Sequence, residues 1–363
     1  MSSPLIPSTV KLLRRFDQRI PAPRFLSSFF QTPPENIHAS ESIGLDIIRD
    51  DEELAIAIQD LSVGGRQNEN TLYTSKMIKP PIFDEEGVIS AMSVINRRPG
   101  ASPFEEPNYA LAAFDEASRL GVKLANKIRR SIELMAAQVF QTGTLNLRDK
   151  NGNTIYVIDF KSRPSHMPTV AVDWGTANDD IVGDVSQLID EVRSNGGEEP
   201  TDLVFGAEAY KHFRRDEDVL NILDNRRIEG SQLESARDAR GATSLGRFDF
   251  NGTVLRLWKY TATYKDPVTG TKKPYVDPDK VILLSESGRL DLSFGNIPIL
   301  TPPEQRALPF MPGDLANGSR GYHFTTNSWV APNGKAVNFS IGTRPCTIPT
   351  AIDTFACLTT KAA

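Results

Sequence analysis

Eleven of this chain's 25 prolines fall within its first 107 residues, and the next after Pro107 is Pro164. Proline fixes φ and removes a backbone donor, so the leading segment is barred from long helices and central strands, whereas the proline-free stretch can be one long helix. The apolar runs before Pro107 are short. They predict a segment that closes no core of its own and takes its burial from copies of the same chain or from a partner. Such a design points to assembly rather than catalysis.

From Asn108 to Thr142 the apolar residues keep a helical rhythm. Leu111, Phe114, Ala117, Gly121, Leu124, Ala125, Ile128, Ile132, Met135, Ala136 and Val139 form one stripe, and Gly143 is a natural stop. At 1.5 Å per residue this helix is roughly 50 Å long, more than a compact domain needs. Asp115, Glu116, Arg119, Lys123, Lys127, Arg130 and Glu133 populate the opposite arc as its solvent face. Leu134 falls among these charges, either as a lone exposed leucine or as a contact with another subunit. Gly121, about 1 kcal/mol less favourable than Ala in a helix, is either a hinge or a close-packing residue.

Before the helix, residues 8–20 read as a short amphipathic surface helix, and Pro21, Pro23, Pro33 and Pro34 force an extended arm through about Ser42. Residues 45–63 are apolar and β-prone, Gly64-Gly65-Arg66 marks a turn, and Thr71 to Ile78 reads as the returning strand. A lone two-stranded ribbon is marginal in water, so this one is expected to lie on a neighbouring subunit. Its candidate contact residues are Gly64, Gly65, Arg66, Tyr73, Lys76 and Lys79. After the helix, residues 145–159 form a hairpin turning at Asp149-Lys150-Asn151-Gly152. A mixed unit of about 120 residues then starts near Val172, with helices at 180–195, 207–214 and 219–223 and strands at 202–205, 253–260 and 280–284. Residues 226–244 read as a polar loop. The Pro-, Gly-, Thr- and Asn-rich stretch from about Leu300, with short strands at 321–325 and 336–341, is expected to return to the region begun by the long helix.

The 363 residues are 39% hydrophobic, enough for a real core, and the net charge of -5 speaks against a dedicated nucleic-acid binder. No stretch approaches the ~20 apolar residues of a membrane span, and the expectation is a soluble protein inside a cell. Cys346 and Cys357 are read as free thiols. His38, His166, His212 and His323 lack ligand spacing, no nucleotide-binding glycine loop or nucleophile elbow occurs, and no metal or cofactor is expected. Asp159 with Lys161 at a strand end, preceded by Asp149, loosely matches a metal-dependent nuclease of α/β type, but short acid-x-Lys matches are common by accident. The acidic runs Asp50-Asp51-Glu52-Glu53 and Asp179-Asp180 are read as solvated or helix-capping.

Four stretches carry a family resemblance: Val172-Asp173-Trp174 with Asp179 to Val185, FGAEAYKHFRRDEDVLNIL (Phe205 to Leu223), NGTVLRLWKYTATYKD (Asn251 to Asp266) and YVDPDKVILLSESGRLDLSFG (Tyr275 to Gly295). In this order, behind arm, ribbon and long helix, the chain resembles the major capsid proteins of tailed bacteriophages, which have the HK97-like (Hong Kong 97 type) fold. Within that group it looks most like the phage lambda capsid type. The resemblance implies a mixed α+β fold with an N-terminal arm (1–44), an extended β-hairpin loop (45–98), a peripheral domain (99–170) containing a spine helix (108–142), an α/β axial domain (171–299) and a return to the peripheral domain (300–363). It further implies pentamers and hexamers that build the icosahedral head shell of a virion in the host bacterial cytoplasm. Implied partners are a decoration protein, a scaffolding protein, a portal at one vertex and double-stranded DNA contacted without sequence specificity. Some relatives join subunits by a Lys–Asn isopeptide bond; Lys76 and Lys79 lie in the loop, but no acceptor Asn or catalytic acid stands out, and no cross-link is expected. The alternatives are an encapsulin-like nanocompartment shell of the same fold and, less favoured, the nuclease.

Overall fold

The computed structural model describes residues 22–47, 74–90, 109–148, 151–160, 162–224, 236–237, 241–286, 288–297 and 323–362. Helix α1 (Tyr109–Thr142) is unbroken over 34 residues. It ends because Gly143 takes φ +62, a left-handed turn that side chains resist, with its N–H closing on Val139 O at 2.8 Å. Its stripe of Leu124, Ala125, Ile128, Ile132, Met135, Ala136, Val139 and Phe140 is buried in the larger of two cores.

The expected mixed unit holds a six-stranded sheet in the order β16 (Phe355–Thr359), β12 (Lys280–Leu284), β6 (Asp202–Phe205), β9 (Thr253–Lys259), β8 (Thr243–Phe250), β7 (Ala236–Arg237); only β6 and β9 run parallel. Both faces are covered. Alternation sends Leu203, Phe205, Val281, Leu283, Ala356 and Leu358 to one core, against α2 (Ile181–Gly196) and α3 (Ala207–Phe213), while Val204, Ile282, Leu284, Phe355 and Cys357 join the core of α1. Asp180 starts α2 by accepting from Gly183 N at 2.7 Å, and Gly197 at φ +63 ends it. A short α4 (Glu217–Asp224) follows α3. Strand β8 begins inside the segment read as loop up to Ser244; its glycine and charged residues hide a strand whose Leu245, Phe248 and Phe250 are buried.

The second sheet is built on β15 (Ala336–Pro349), whose 14 residues pair first with β3 (Phe83–Ser90) and β14 (Thr325–Val330), then with β13 (Leu290–Gly295). Sequence reading gives only a short strand, 336–341, in this Pro-, Gly-, Thr- and Asn-rich stretch. Pro345 is tolerated because that half of β15 has a partner on one side only, so its missing N–H interrupts no second ladder. The sheets also exchange segments: β13, before the expected boundary at 299, pairs with β15, and β16, after it, pairs with β12. Hairpins β4 (Thr144–Arg148) with β5 (Thr154–Asp159), and β10 (Thr263–Lys265) with β11 (Lys272–Pro274), complete the described strands alongside β1 (Ile43–Ile47) and β2 (Thr74–Ile78).

One expectation is overturned in part. Residues 22–47 do not wait for a neighbour: Phe25 and Leu26 are fully buried in their own subunit's core, Phe30 and Ile43 nearly so. Prolines do prevent long regular structure, leaving short 3-10 turns at Leu26–Phe29 and Pro34–Asn36. Three phenylalanines within six positions supply the burial that the apolar-run criterion missed.

Candidate functional site: the strap, the ribbon root and the surfaces beside them

Residues 22–42 form a strap laid along β13. Gln31 N donates to Leu290 O and His38 N to Phe294 O, both at 2.8 Å, so the strap extends the second sheet by isolated parallel bridges. Its start is held by aromatic rings. Phe25 lies 5.0 Å from Trp258 and 5.5 Å from Tyr260, Phe30 lies 5.1 Å from Phe140, and Phe140 lies 5.5 Å from Phe355.

Beneath these rings sits a carboxylate. Glu133 of α1 has no exposed surface; its Oε1 accepts from Leu26 N at 2.8 Å and from the Tyr260 hydroxyl at 2.6 Å, and its Oε2 from Ser27 N at 2.9 Å. It therefore caps the first 3-10 turn of the strap from 107 residues away. Burial and then the Glu133 charge push the Tyr260 hydroxyl far above its ordinary pKa, so it remains a donor. Reading Glu133 as part of the solvent arc is thus corrected: a buried carboxylate is tolerated where both of its oxygens meet donors. Only the strap and β9's neighbour Tyr260 reveal this, and neither lies near Glu133 in sequence.

A second buried acid locks the six-stranded sheet beside the strap. Asp202 accepts from Trp258 Nε1 at 2.7 Å, from Thr201 Oγ1 at 2.7 Å and from Arg256 Nη2 at 2.6 Å, and Arg256 bridges onward to Glu286. Both acids are consumed in holding elements together.

The ribbon is rooted in the same core. Ile43 pairs with Ile78 and both are buried, while β1 and β2 run antiparallel out to Ile47 and Thr74. Glu41 lies 3.6 Å from Lys79 and 3.6 Å from Arg344, tying strap, ribbon root and β15 by one carboxylate. Lys79 is exposed, and Lys76 is placed by its backbone pairing with Leu45. Gly64, Gly65, Arg66 and Tyr73 lie outside the described residues, as do Asp149 and Lys161 of the nuclease reading. Asp159 closes β5 opposite Thr144. Leu134 is half-buried and packs against the main core rather than standing as a lone exposed leucine. Gly121 is buried, and α1 runs through it unbroken; the preceding Leu120 presses on Gly87 of β3, where an added Cβ would lie 2.6 Å from Leu120 Cδ2. Among the described residues no group of three or more His, Cys, Asp or Glu side chains is placed to hold a metal. His166 is buried with Nδ1 3.0 Å from Phe355 O, and His323 is held below its ordinary pKa by burial.

The family model described as Phage major capsid protein E matches residues 8–360. Among curated proteins none matches the sequence. A prophage capsid protein of E. coli CFT073 has a similar structure, with a TM-score of 0.61 at 15% identity over 93% of this chain and 93% of its own. The SrpI encapsulin of Synechococcus elongatus PCC 7942 aligns at TM-score 0.49 and 11% identity over 97% of this chain and 94% of its own, and a Gordonia phage Cozz structure at 0.49 and 11% over 99% and 92%. The first of these likenesses speaks for the fold, an HK97-like capsid fold, and the sequence match speaks for descent. With strap, ribbon root, spine helix and two interlocked sheets accounted for, the chain belongs to the phage major capsid protein E family and is a major capsid shell protein.

Proposed function

We propose that the subunit is a tile of an icosahedral phage head, five or six copies meeting around each local axis through the mixed unit at about 171–299, with the ribbon spanning adjacent tiles. The observation that carries this is the rooted ribbon: its first rung, Ile43 opposite Ile78, is buried in the subunit's own core, and residues 48–73 separate Ile47 from Thr74 in a stretch far longer than a turn needs. Gly64, Gly65, Arg66, Tyr73, Lys76 and Lys79 are the contact residues of that ribbon. Each contact is modest, and closure of the shell makes loss of one subunit require breaking several at once. The shell encloses double-stranded DNA without reading its sequence, in keeping with a net charge of -5, and is assembled in the host cytoplasm around a portal with scaffolding and decoration proteins supplied by kinship. No catalysis is assigned, since the two buried acids described are fully engaged in structural bonds.

Negative-stain microscopy of the purified chain tests this: shells, tubes or rings of five or six are expected, and a monomer at every concentration refutes it. Nucleic acid inside native particles is expected; packaged protein instead favours the nanocompartment reading. Gly121 is the proposed bend point of α1 during shell expansion, and Gly121→Ala is expected to alter expansion kinetics, with normal kinetics removing that role.

A further inference from the structure

Two exposed stripes, opposite in charge, are left unsatisfied within one subunit. On β3 and the residue before it, Ile82, Asp84, Glu86 and Val88 alternate onto the face turned away from α1; Ile82 is 56% and Val88 66% exposed. The inward neighbour Glu85 is paired with Lys127 at 2.8 Å, whereas Asp84 and Glu86 have no ion-pair partner among the described residues. Hairpin β10–β11 mirrors this. Its inward Lys273 is paired with Asp266 at 2.5 Å, while Lys265 and Lys272 stand directly opposite each other across the two strands, exposed and without an ion-pair partner among the described residues. Val268 in the turn between them is 42% exposed and leans on Gly152 of the β4–β5 turn.

Like charges placed side by side on a strand or directly across a ladder work against the fold that carries them. Each subunit tolerates one such pair of each sign. Their spacings correspond, since alternate residues on a strand are about 6.5 Å apart and cross-strand side chains about 5 Å apart, within the reach of a lysine stem. Each pair is also bordered by exposed aliphatic side chains that a partner would cover. Because the charges within each stripe repel and the two stripes attract, the fitting partner of either is the other on a second copy. Such a contact is head-to-tail, the kind that closes rings.

We propose that β3's outer face, through Asp84 and Glu86 with Ile82 and Val88 beside them, docks on the Lys265–Lys272 hairpin of the next subunit in the ring; this rests on the shell reading and names one of its contacts. Charge reversal tests it on the full chain. Asp84→Lys with Glu86→Lys, and separately Lys265→Glu with Lys272→Glu, should each raise the concentration at which particles form by about tenfold or more, read by light scattering and microscopy. All four changed positions are on the surface, and unaltered circular dichroism with a melting temperature no lower than the parent's in the unassembled subunits verifies folding. Combining all four substitutions in one chain should restore assembly, and a 1:1 mixture of the two double variants should restore rings of six, in which alternation repairs every contact. Wild-type thresholds in either double variant, or no recovery in both the combined chain and the mixture, overturn the contact while leaving the shell reading standing. A wild-type chain that never assembles refutes the shell reading and this contact with it.

Discussion

Removing Glu133 is the sharpest test of how the strap is held. Glu133→Ala leaves Leu26 N, Ser27 N and the Tyr260 hydroxyl buried without an acceptor. An orphaned buried donor costs about 1–3 kcal/mol, so three of them predict a loss of about 3–9 kcal/mol, the low end applying if water enters beside the strap. Glu133→Gln is milder: its amide oxygen can still serve Leu26 N and Tyr260, but its NH2 faces Ser27 N, orphaning one donor for about 1–3 kcal/mol. Tyr260→Phe removes only one donor and leaves the carboxylate with two, so it costs about 1 kcal/mol more than the hydroxyl-free ring recovers. Denaturant unfolding of unassembled subunits by circular dichroism should rank the variants in that order. Amide exchange over residues 25–31 should rise most in Glu133→Ala, because the strap can let go before the sheet does. A Glu133→Ala subunit within about 0.5 kcal/mol of the parent, with unchanged protection at Leu26 and Ser27, would refute the reasoning.

The remaining predictions concern packing, thiols and pH. Gly206→Ala should cost about 1–3 kcal/mol, because its Cβ would lie 2.3 Å from Asp277 O and 2.6 Å from Pro278 O, backbone atoms with little room to give; an unchanged urea midpoint would contradict this. Cys346 and Cys357 are buried and their thiols pushed up to about 12, so Ellman's reagent should label neither until the chain unfolds, and prompt stoichiometric labelling of native subunits would disprove their burial. Burial, then Glu86 and Glu85, raise the Asp84 carboxyl above 3.8. The folded subunit therefore holds that proton more tightly than the unfolded chain. The stabilisation is complete below the unfolded value and is lost as pH rises through the raised one. Asp84→Asn should accordingly raise the melting temperature of unassembled subunits at pH 7 and flatten its dependence on acid pH; a lower melting temperature at pH 7 would sink this reading.

Elements whose determinants are local were legible. The α1 stripe and its Gly143 stop, α2 behind Asp180, β6 and β12 each follow from a short pattern of apolar spacing, capping or turn chemistry. The long leading segment and the resemblance carried by four stretches between Val172 and Gly295 pointed to a shell protein, and the family match agrees. The strap was misjudged because its burial comes from Phe140, Trp258 and Tyr260, none of which is near Phe25 in the chain. Glu133 was assigned to the wet arc for the same reason: helical periodicity registers one covered face, and the strap covers the side of the helix that holds Glu133.

What the amino-acid order alone determined is the inventory of helix, ribbon and strands, since those depend on neighbours a few positions away. Tertiary structure decided the exchange of β13 and β16 between sheets, the length of β15 past its prolines and the burial of Glu133. Each of these depends on hydrogen-bond partners or covering side chains brought together from distant parts of the chain, which no local pattern records.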